Sequence, residues 1–135
     1  MLRGLVTAGI ALTLAACAGM GKRESDERTL ARYMDAAGEP IEQFTYLGRF
    51  DGWRALGRDK VVVWTGINDA YLLTVQTPCT ELPFAQTIAL TTTTNTVSRG
   101  FDSVRFGPNP NQQCRISEIR PIDYRKVREL ERAGS

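Results

Sequence analysis

A β-hairpin near the middle of the chain constrains the fold more than any other feature of this sequence. Residues 61–65 read Val-Val-Val-Trp-Thr, so both faces of this strand are apolar, as in a strand that is covered on both sides. Residues 70–75 supply a second strand, and Gly66, Asn68 and Asp69 between the two favour a tight turn. The rest of the chain is therefore expected to cover this hairpin.

Apolar and β-branched runs elsewhere predict four further strands. Their ranges are 44–50, 86–94, 101–106 and 114–120. Pro121 is expected to end the sheet, because proline has no backbone N–H to donate. The sequence thus predicts a mainly β (α+β) fold, a small antiparallel sheet or partly closed barrel of about six strands, with short N- and C-terminal helices and one disulfide.

Two short amphipathic helices are expected at the ends of this sheet. The first begins after Ser25, a capping residue, and places Leu30 and Tyr33 on one apolar stripe. That stripe could lie on a membrane, but it is narrow and has no basic border, so docking on the sheet is favoured. The second follows Asp123 as its cap and puts Val127 at the centre of its stripe.

The N-terminus carries a pattern of export and lipid attachment. Arg3 precedes an apolar run over 4–14, which has the length of a secretory signal peptide and is too short to span a bilayer. Residues 14–17 then read Leu-Ala-Ala-Cys, so small residues precede a cysteine where a signal peptidase would cut. This pattern resembles the lipobox of bacterial lipoproteins. The alternative is an ordinary buried helix in which Cys17 occurs by chance.

The lipobox resemblance implies a division of the chain into three parts. These are a signal peptide over 1–16, a lipidated tether over 17–24 and a single domain over 25–135. Acyl chains on Cys17, at about 0.8 kcal/mol per buried methylene, would hold the protein on a membrane. Ala18 rather than aspartate follows the cysteine, which by similarity to enteric lipoproteins favours the outer membrane, facing the periplasm.

Two cysteines remain once the first is lipidated. Cys79 and Cys114 would lie in an oxidising compartment, where an even pair normally forms a disulfide. A redox role is the alternative, but the spacing is not Cys-x-x-Cys, so a structural bridge is favoured.

The composition limits the partners and the catalytic mechanisms that are expected. The net charge is only +2, from 17 basic and 15 acidic residues, so no nucleic-acid partner is predicted. The chain has no histidine, which excludes histidine-based proton transfer, Ser-His or Cys-His nucleophiles and most catalytic zinc sites. No catalytic residue, metal site or cofactor is predicted.

Asp102 is the one candidate functional carboxylate. Alternation places it on the same face as Val104 and Phe106, which is expected to point inward. A buried carboxylate with a raised pKa could act as a general acid, although a salt bridge or a bond to a turn is the commoner arrangement. A hydrolase of this kind would need a second carboxylate, such as Glu118, in the same cleft.

Aromatic residues near the hairpin offer a different kind of site. Trp53, Trp64 and Tyr71 could line a sugar-binding cleft, whereas core packing is the commoner fate of aromatics beside β-branched strands.

The mature segment resembles an uncharacterised group of proteobacterial lipoproteins known as domain of unknown function 6491. The residues that carry this resemblance are Trp53, Val62-Val63-Trp64, Tyr71-Leu72-Leu73, Pro78-Cys79, Leu82, Ala85, Ile88, Asp102-Ser103-Val104, Cys114-Arg115-Ile116 and Ile119. The resemblance implies no activity, substrate or catalytic residue.

The sequence therefore predicts a non-enzymatic envelope lipoprotein on the periplasmic side of the outer membrane. It would bind or support an envelope protein or glycan, with the membrane as its second partner through Cys17. The alternative is an inhibitor or small-ligand binder that projects loop 107–113 into a cell-wall hydrolase. A hydrolase that uses only carboxylates is the third hypothesis.

Overall fold

The computed structural model describes Gly4, residues 26–107 and residues 112–134. Apart from Gly4, the predicted signal peptide lies outside the described residues, as do the predicted lipidation site Cys17, the tether and the Ser25 cap. In chain order the elements are α1 (Asp26–Asp35), β1 (Gln43–Thr45), β2 (Gly52–Leu56), β3 (Lys60–Trp64), β4 (Asp69–Val75), a 3-10 turn (Leu82–Phe84), β5 (Ala89–Leu90), β6 (Thr96–Ser98), β7 (Ser103–Arg105), β8 (Gln113–Asp123) and α2 (Tyr124–Ala133).

Six strands form one antiparallel sheet in the order β2-β3-β4-β8-β7-β5. The sheet curls into a half-barrel, and β1 and β6 pair as a separate two-stranded sheet. With the two short helices and one disulfide, this architecture confirms the predicted mainly β fold.

The predicted central hairpin is present as β3 and β4. Val62 pairs with Leu72 and Val61 with Leu73, and all four side chains are buried. Because neighbouring residues point to opposite faces, the hairpin contributes to both cores of the domain. A strand that is apolar on both faces was the strongest fold signal in the sequence, and it does lie between two packed layers.

Each face of the curled sheet carries its own core. One core lies between the large sheet and the β1–β6 sheet, and includes Val63, Leu73, Ile119, Phe44 and Val97. The other lies under the helices, and includes Val62, Leu72, Ile122, Tyr33 and Val127. Burial of Tyr33 and Val127 confirms that both helices pack on the sheet, and the Asp123 carboxylate caps α2 by accepting from the Lys126 amide at 3.3 Å.

Three predicted strands are shorter than expected. Pairing in the 44–50 strand stops at Thr45, because its partner β6 has only three residues, and Gly48 then adopts a φ of 91°. The 86–94 strand is reduced to Ala89–Leu90, since Thr94 and Asn95 turn the chain with φ of 52° and 57°. The 101–106 strand keeps only its central residues, Ser103–Arg105.

Pro121 does not end the sheet, contrary to the prediction. It lies within β8 opposite Tyr71, and its carbonyl accepts a hydrogen bond from the Gly38 amide at 2.8 Å. The N–H and C=O of one strand residue point to the same side, so the donor that proline lacks would face Gly38 rather than β4. β8 therefore continues to Asp123 without losing a bond to its neighbour.

Candidate functional site

The predicted disulfide is present between Cys79 and Cys114. It ties the chain just beyond β4 to the start of β8, across 35 residues, and both cysteines are buried. Leu82, which is fully buried three residues beyond Cys79, packs in the same core as the bridge. The bridge therefore holds the 3-10 turn against the sheet.

Asp102 is buried, and both oxygens of its carboxylate accept hydrogen bonds. One oxygen accepts from the Ser98 amide at 2.8 Å, and the other accepts from the Thr91 hydroxyl at 2.9 Å. The Thr91 hydroxyl in turn accepts from the Ser103 amide at 2.8 Å. This network joins the turn between β6 and β7 to the end of β5, as a carboxylate with a structural role would.

Glu118 does not share a cleft with Asp102. It lies opposite Thr74 on the helix-covered side of the sheet and pairs with Arg120 at 2.6 Å. Asp102 instead bonds to Thr91 and Ser98, and neither carboxylate lines any of the surface hollows described below. The two carboxylates thus lack the facing arrangement that glycoside hydrolysis requires.

The three predicted cleft aromatics are divided between the two faces of the sheet. Trp53 and Tyr71 pack against the first core, and Tyr71 stacks on Phe44. Trp64 packs in the second core, edge-on to Tyr33 and Tyr124. They therefore form no common sugar-binding cleft.

A surface at one end of the sheet combines exposed apolar side chains with two hollows; we call it the Asp51 surface. Its first hollow, of about 350 Å³, is lined by Thr45, Leu47, Arg49, Asp51 and Thr65. Its second, of about 340 Å³, is lined by Asp51, Gly52, Trp64, Gly66, Ile67 and Tyr124. Leu47 is 76% exposed and Ile67 is 82% exposed. Large apolar side chains with a polar border are typical of a binding surface.

The turn beneath the Asp51 surface is held in place by several contacts. The Thr65 amide donates to the Asp69 carbonyl at 2.9 Å, and Arg128 donates to the Asn68 side chain at 2.7 Å. The Arg128 guanidinium also lies 5.2 Å from the centre of the Tyr124 ring, within cation-π range. Ile67 is thus an exposed apolar residue on a supported turn.

Space for a side chain is tight at the start of that turn. A Cβ at Gly66 would lie 3.0 Å from an Asp69 carboxylate oxygen. Trp64 also lines the second hollow, but its indole nitrogen is buried beneath the surface and has no hydrogen-bond partner among the described residues.

Three tyrosines in the two cores have raised pKa values. Burial raises the pKa of Tyr33 above its usual range, and the nearby Tyr124 and Glu131 act in the same direction. Burial also raises the pKa of Tyr46 and of Tyr71, the latter with a contribution from Asp69. The raised pKa values thus reflect the packing of these side chains in the two cores.

A larger groove lies at the other end of the sheet; we call it the Phe84 groove. It has a volume of about 930 Å³, and its lining includes Asp26, Gly57, Arg58, Pro78, Pro83 and Phe84. Phe84 is 83% exposed, and it also borders a second hollow of about 570 Å³. Neither surface is predicted from the sequence, since single exposed apolar residues in turns give no periodic signal.

Residues 108–111 of the loop predicted for an inhibitor lie outside the described residues, so that alternative stays a prediction. Among the described residues, no group of three or more His, Cys, Asp or Glu is arranged to hold a metal ion. None of the helices described is long and apolar enough to cross a bilayer.

Comparison with known proteins gives a family and no activity. No curated protein and no solved structure matches the chain. The family of unknown function DUF6491 matches over residues 1–135, that is, over the signal-peptide pattern, the disulfide and both surfaces together. The chain therefore belongs to the DUF6491 family.

Proposed function

We propose that this protein is a lipid-anchored, non-enzymatic module of the bacterial cell envelope that binds a protein partner through the Asp51 surface. Cys17 carries the lipid, and the folded domain faces the periplasm from the outer membrane. The observation that carries the binding role is the pair of exposed apolar side chains, Leu47 and Ile67, on either side of two hollows that share Asp51.

The lipid anchor is supported by the sequence pattern before the domain. A basic residue, an apolar run of signal-peptide length and Leu-Ala-Ala before Cys17 occur in the expected order. The Cys79–Cys114 disulfide supports export, because such bridges persist in oxidising compartments. Ala18 after the lipidated cysteine supports the outer membrane rather than the inner one.

The choice of a protein partner rests on the chemistry of the Asp51 surface. Leu47 and Ile67 are aliphatic, and aliphatic side chains are buried efficiently against another apolar surface. Arg49 and Asp51 give this apolar pair a charged border, as the rim of a protein interface does. A glycan site would instead be expected to present an open aromatic face, whereas Trp64 is covered edge-on by two other rings.

Site-specific photocrosslinking in living cells tests this proposal. A photoreactive phenylalanine analogue replaces Leu47 or Ile67 in the full-length protein, and Phe101 serves as the control. Phe101 is 69% exposed but lies in the turn between β6 and β7, outside the Asp51 surface. Positions 47 and 67 should give the same protein adduct, and position 101 should not.

A substitution at one of the two positions tests whether both contact the same partner. Ile67→Ser should reduce the adduct formed from position 47, because the two side chains would contact one partner. Adducts of equal yield from all three positions, or none from 47 and 67, would refute the proposal. Capture of a glycan instead of a protein at these positions would also refute it.

A further inference from the structure

We propose that the Phe84 groove rests on the lipid surface that holds the Cys17 anchor. This inference rests on the proposed lipid anchor and adds a fixed orientation: the Phe84 end of the domain faces the membrane, and the Asp51 surface faces away from it.

The first observation is the way in which Phe84 is presented. It ends a 3-10 turn whose first residue, Leu82, is fully buried, and the Cys79–Cys114 bridge lies just before that turn. The Phe84 amide donates to the Glu81 carbonyl at 3.1 Å, which fixes the backbone beneath the ring. A large aromatic side chain is thus held 83% exposed on a well-packed support.

The second observation is where the chain from the anchor enters the domain. Asp26, the first residue of α1, lines the Phe84 groove. It follows Cys17 by nine positions, and nine residues span at most roughly 32 Å when fully extended. That length sets the greatest distance of the anchor from Asp26, so the chain from the anchor reaches the domain at the groove end of the sheet.

The two ends of the sheet then lie at different distances from the membrane. Arg58 precedes β3 and Ile67 follows it, so the groove and the Asp51 surface lie at opposite ends of that strand. A strand of five residues is about 16 Å long. Contact of Phe84 with lipid therefore lifts Ile67 away from the membrane and leaves it open to a partner.

The charge of the groove favours apolar contact over electrostatic attraction. Its two charged lining residues, Arg58 and Asp26, have opposite signs, and Pro78, Pro83 and Phe84 supply the apolar area. One phenylalanine would not retain a soluble domain on a bilayer. On an anchored chain the contact is intramolecular, and the high effective concentration makes a weak contact sufficient.

Tryptophan fluorescence in reconstituted vesicles tests the orientation. The full-length lipidated protein carries either Phe84→Trp or Ile67→Trp, two positions that are matched in exposure at 83% and 82%. Each variant is placed in phosphatidylcholine vesicles with plain or brominated acyl chains, since bromine quenches tryptophan at close range. Trp53 and Trp64 are common to both variants, so the difference between the variants reports on the added indole.

F84W should shift its emission to the blue on reconstitution and lose intensity in brominated vesicles, whereas I67W should do neither. Equal quenching of the two variants, or stronger quenching of I67W, would overturn the orientation. A blue shift of F84W without quenching would also overturn it, because a second copy of the chain would then cover the groove. Flotation with the vesicles checks the anchor separately: protein that fails to float refutes the anchor and this inference with it.

Discussion

Phe44 in β1 stacks on Tyr71 in β4, with ring centroids 4.2 Å apart and planes inclined by 14°. Phe44 belongs to the small β1–β6 sheet and Tyr71 to the large sheet, so this contact joins the two. Phe44 is buried, and its neighbours in the first core include Val63, Leu73 and Val97. Side-chain contacts of this kind join the two sheets, together with backbone bonds at the ends of the small sheet, such as that from the Ile41 amide to the Ile119 carbonyl.

Phe44→Ala should destabilise the domain by roughly 3–5 kcal/mol, because it removes a stacked ring and leaves a cavity between the sheets. Phe101→Ala is the matched control, since Phe101 is 69% exposed. It should change the free energy of unfolding by less than about 0.5 kcal/mol. Urea unfolding of both variants measures the difference, and equal effects would contradict the role of the stacked pair.

Loss of the disulfide should lower the free energy of unfolding by an amount comparable to the effect of Phe44→Ala. For a bridge that closes a 35-residue separation, the chain-entropy relation gives roughly 3–4 kcal/mol. The double variant Cys79→Ala, Cys114→Ala should unfold at a correspondingly lower urea concentration. Reductant should lower the midpoint of the wild-type protein and leave that of the double variant unchanged. If reductant moved both midpoints alike, the bridge would not be the cause.

Asp102→Asn should lower stability by roughly 1–3 kcal/mol. Both groups that bond to the carboxylate, the Ser98 amide and the Thr91 hydroxyl, are donors, so an amide N–H₂ would face one of them and leave it unpaired. Asp59→Asn is the control, because Asp59 lies at an exposed turn with only a long contact of 3.7 Å to Lys60. Equal melting temperatures for the two variants would show that the Asp102 network contributes little.

Alkaline pH should destabilise the fold through Tyr33. Burial raises the pKa of Tyr33 above the unfolded value of about 10. As pH rises, the unfolded chain therefore loses the Tyr33 proton before the folded protein does. The contribution of Tyr33 to the free energy of unfolding is fully present below about pH 10 and falls as pH rises beyond it. Tyr33→Phe should make the free energy of unfolding less dependent on pH between 9 and 11. Identical pH slopes for the variant and the wild-type protein would rule this out.

The features that the sequence predicts correctly are those with strong local signals. The Val61–Val63 run predicts a strand covered on both sides, and Asp123 is a standard helix cap. The pairing of Cys79 with Cys114 follows from the compartment and from parity once Cys17 is assigned to lipid. None of these predictions needs knowledge of a distant partner.

The features that it misses depend on such partners. β2 is not among the predicted strands, because five residues between two turns carry too little alternation. Pro121 is accommodated only because Gly38, far away in sequence, meets its carbonyl on the outer side of β8. The Asp51 surface is formed by three separate parts of the chain: the turn after β3, the residues before β2 and the start of α2. No single stretch of the sequence therefore predicts it.

The anchor prediction concerns Cys17 and can be tested apart from the stability of the folded domain. Cys17→Ser should abolish metabolic labelling with palmitate, because serine offers no thiol to receive the diacylglycerol, and should leave the chain unprocessed or released from the membrane. Cys79→Ala, Cys114→Ala is the control, since it keeps Cys17 and should still be labelled, although its domain is less stable. Labelling that persists in Cys17→Ser would refute the lipobox assignment, and the membrane-facing role of Phe84 would fall with it.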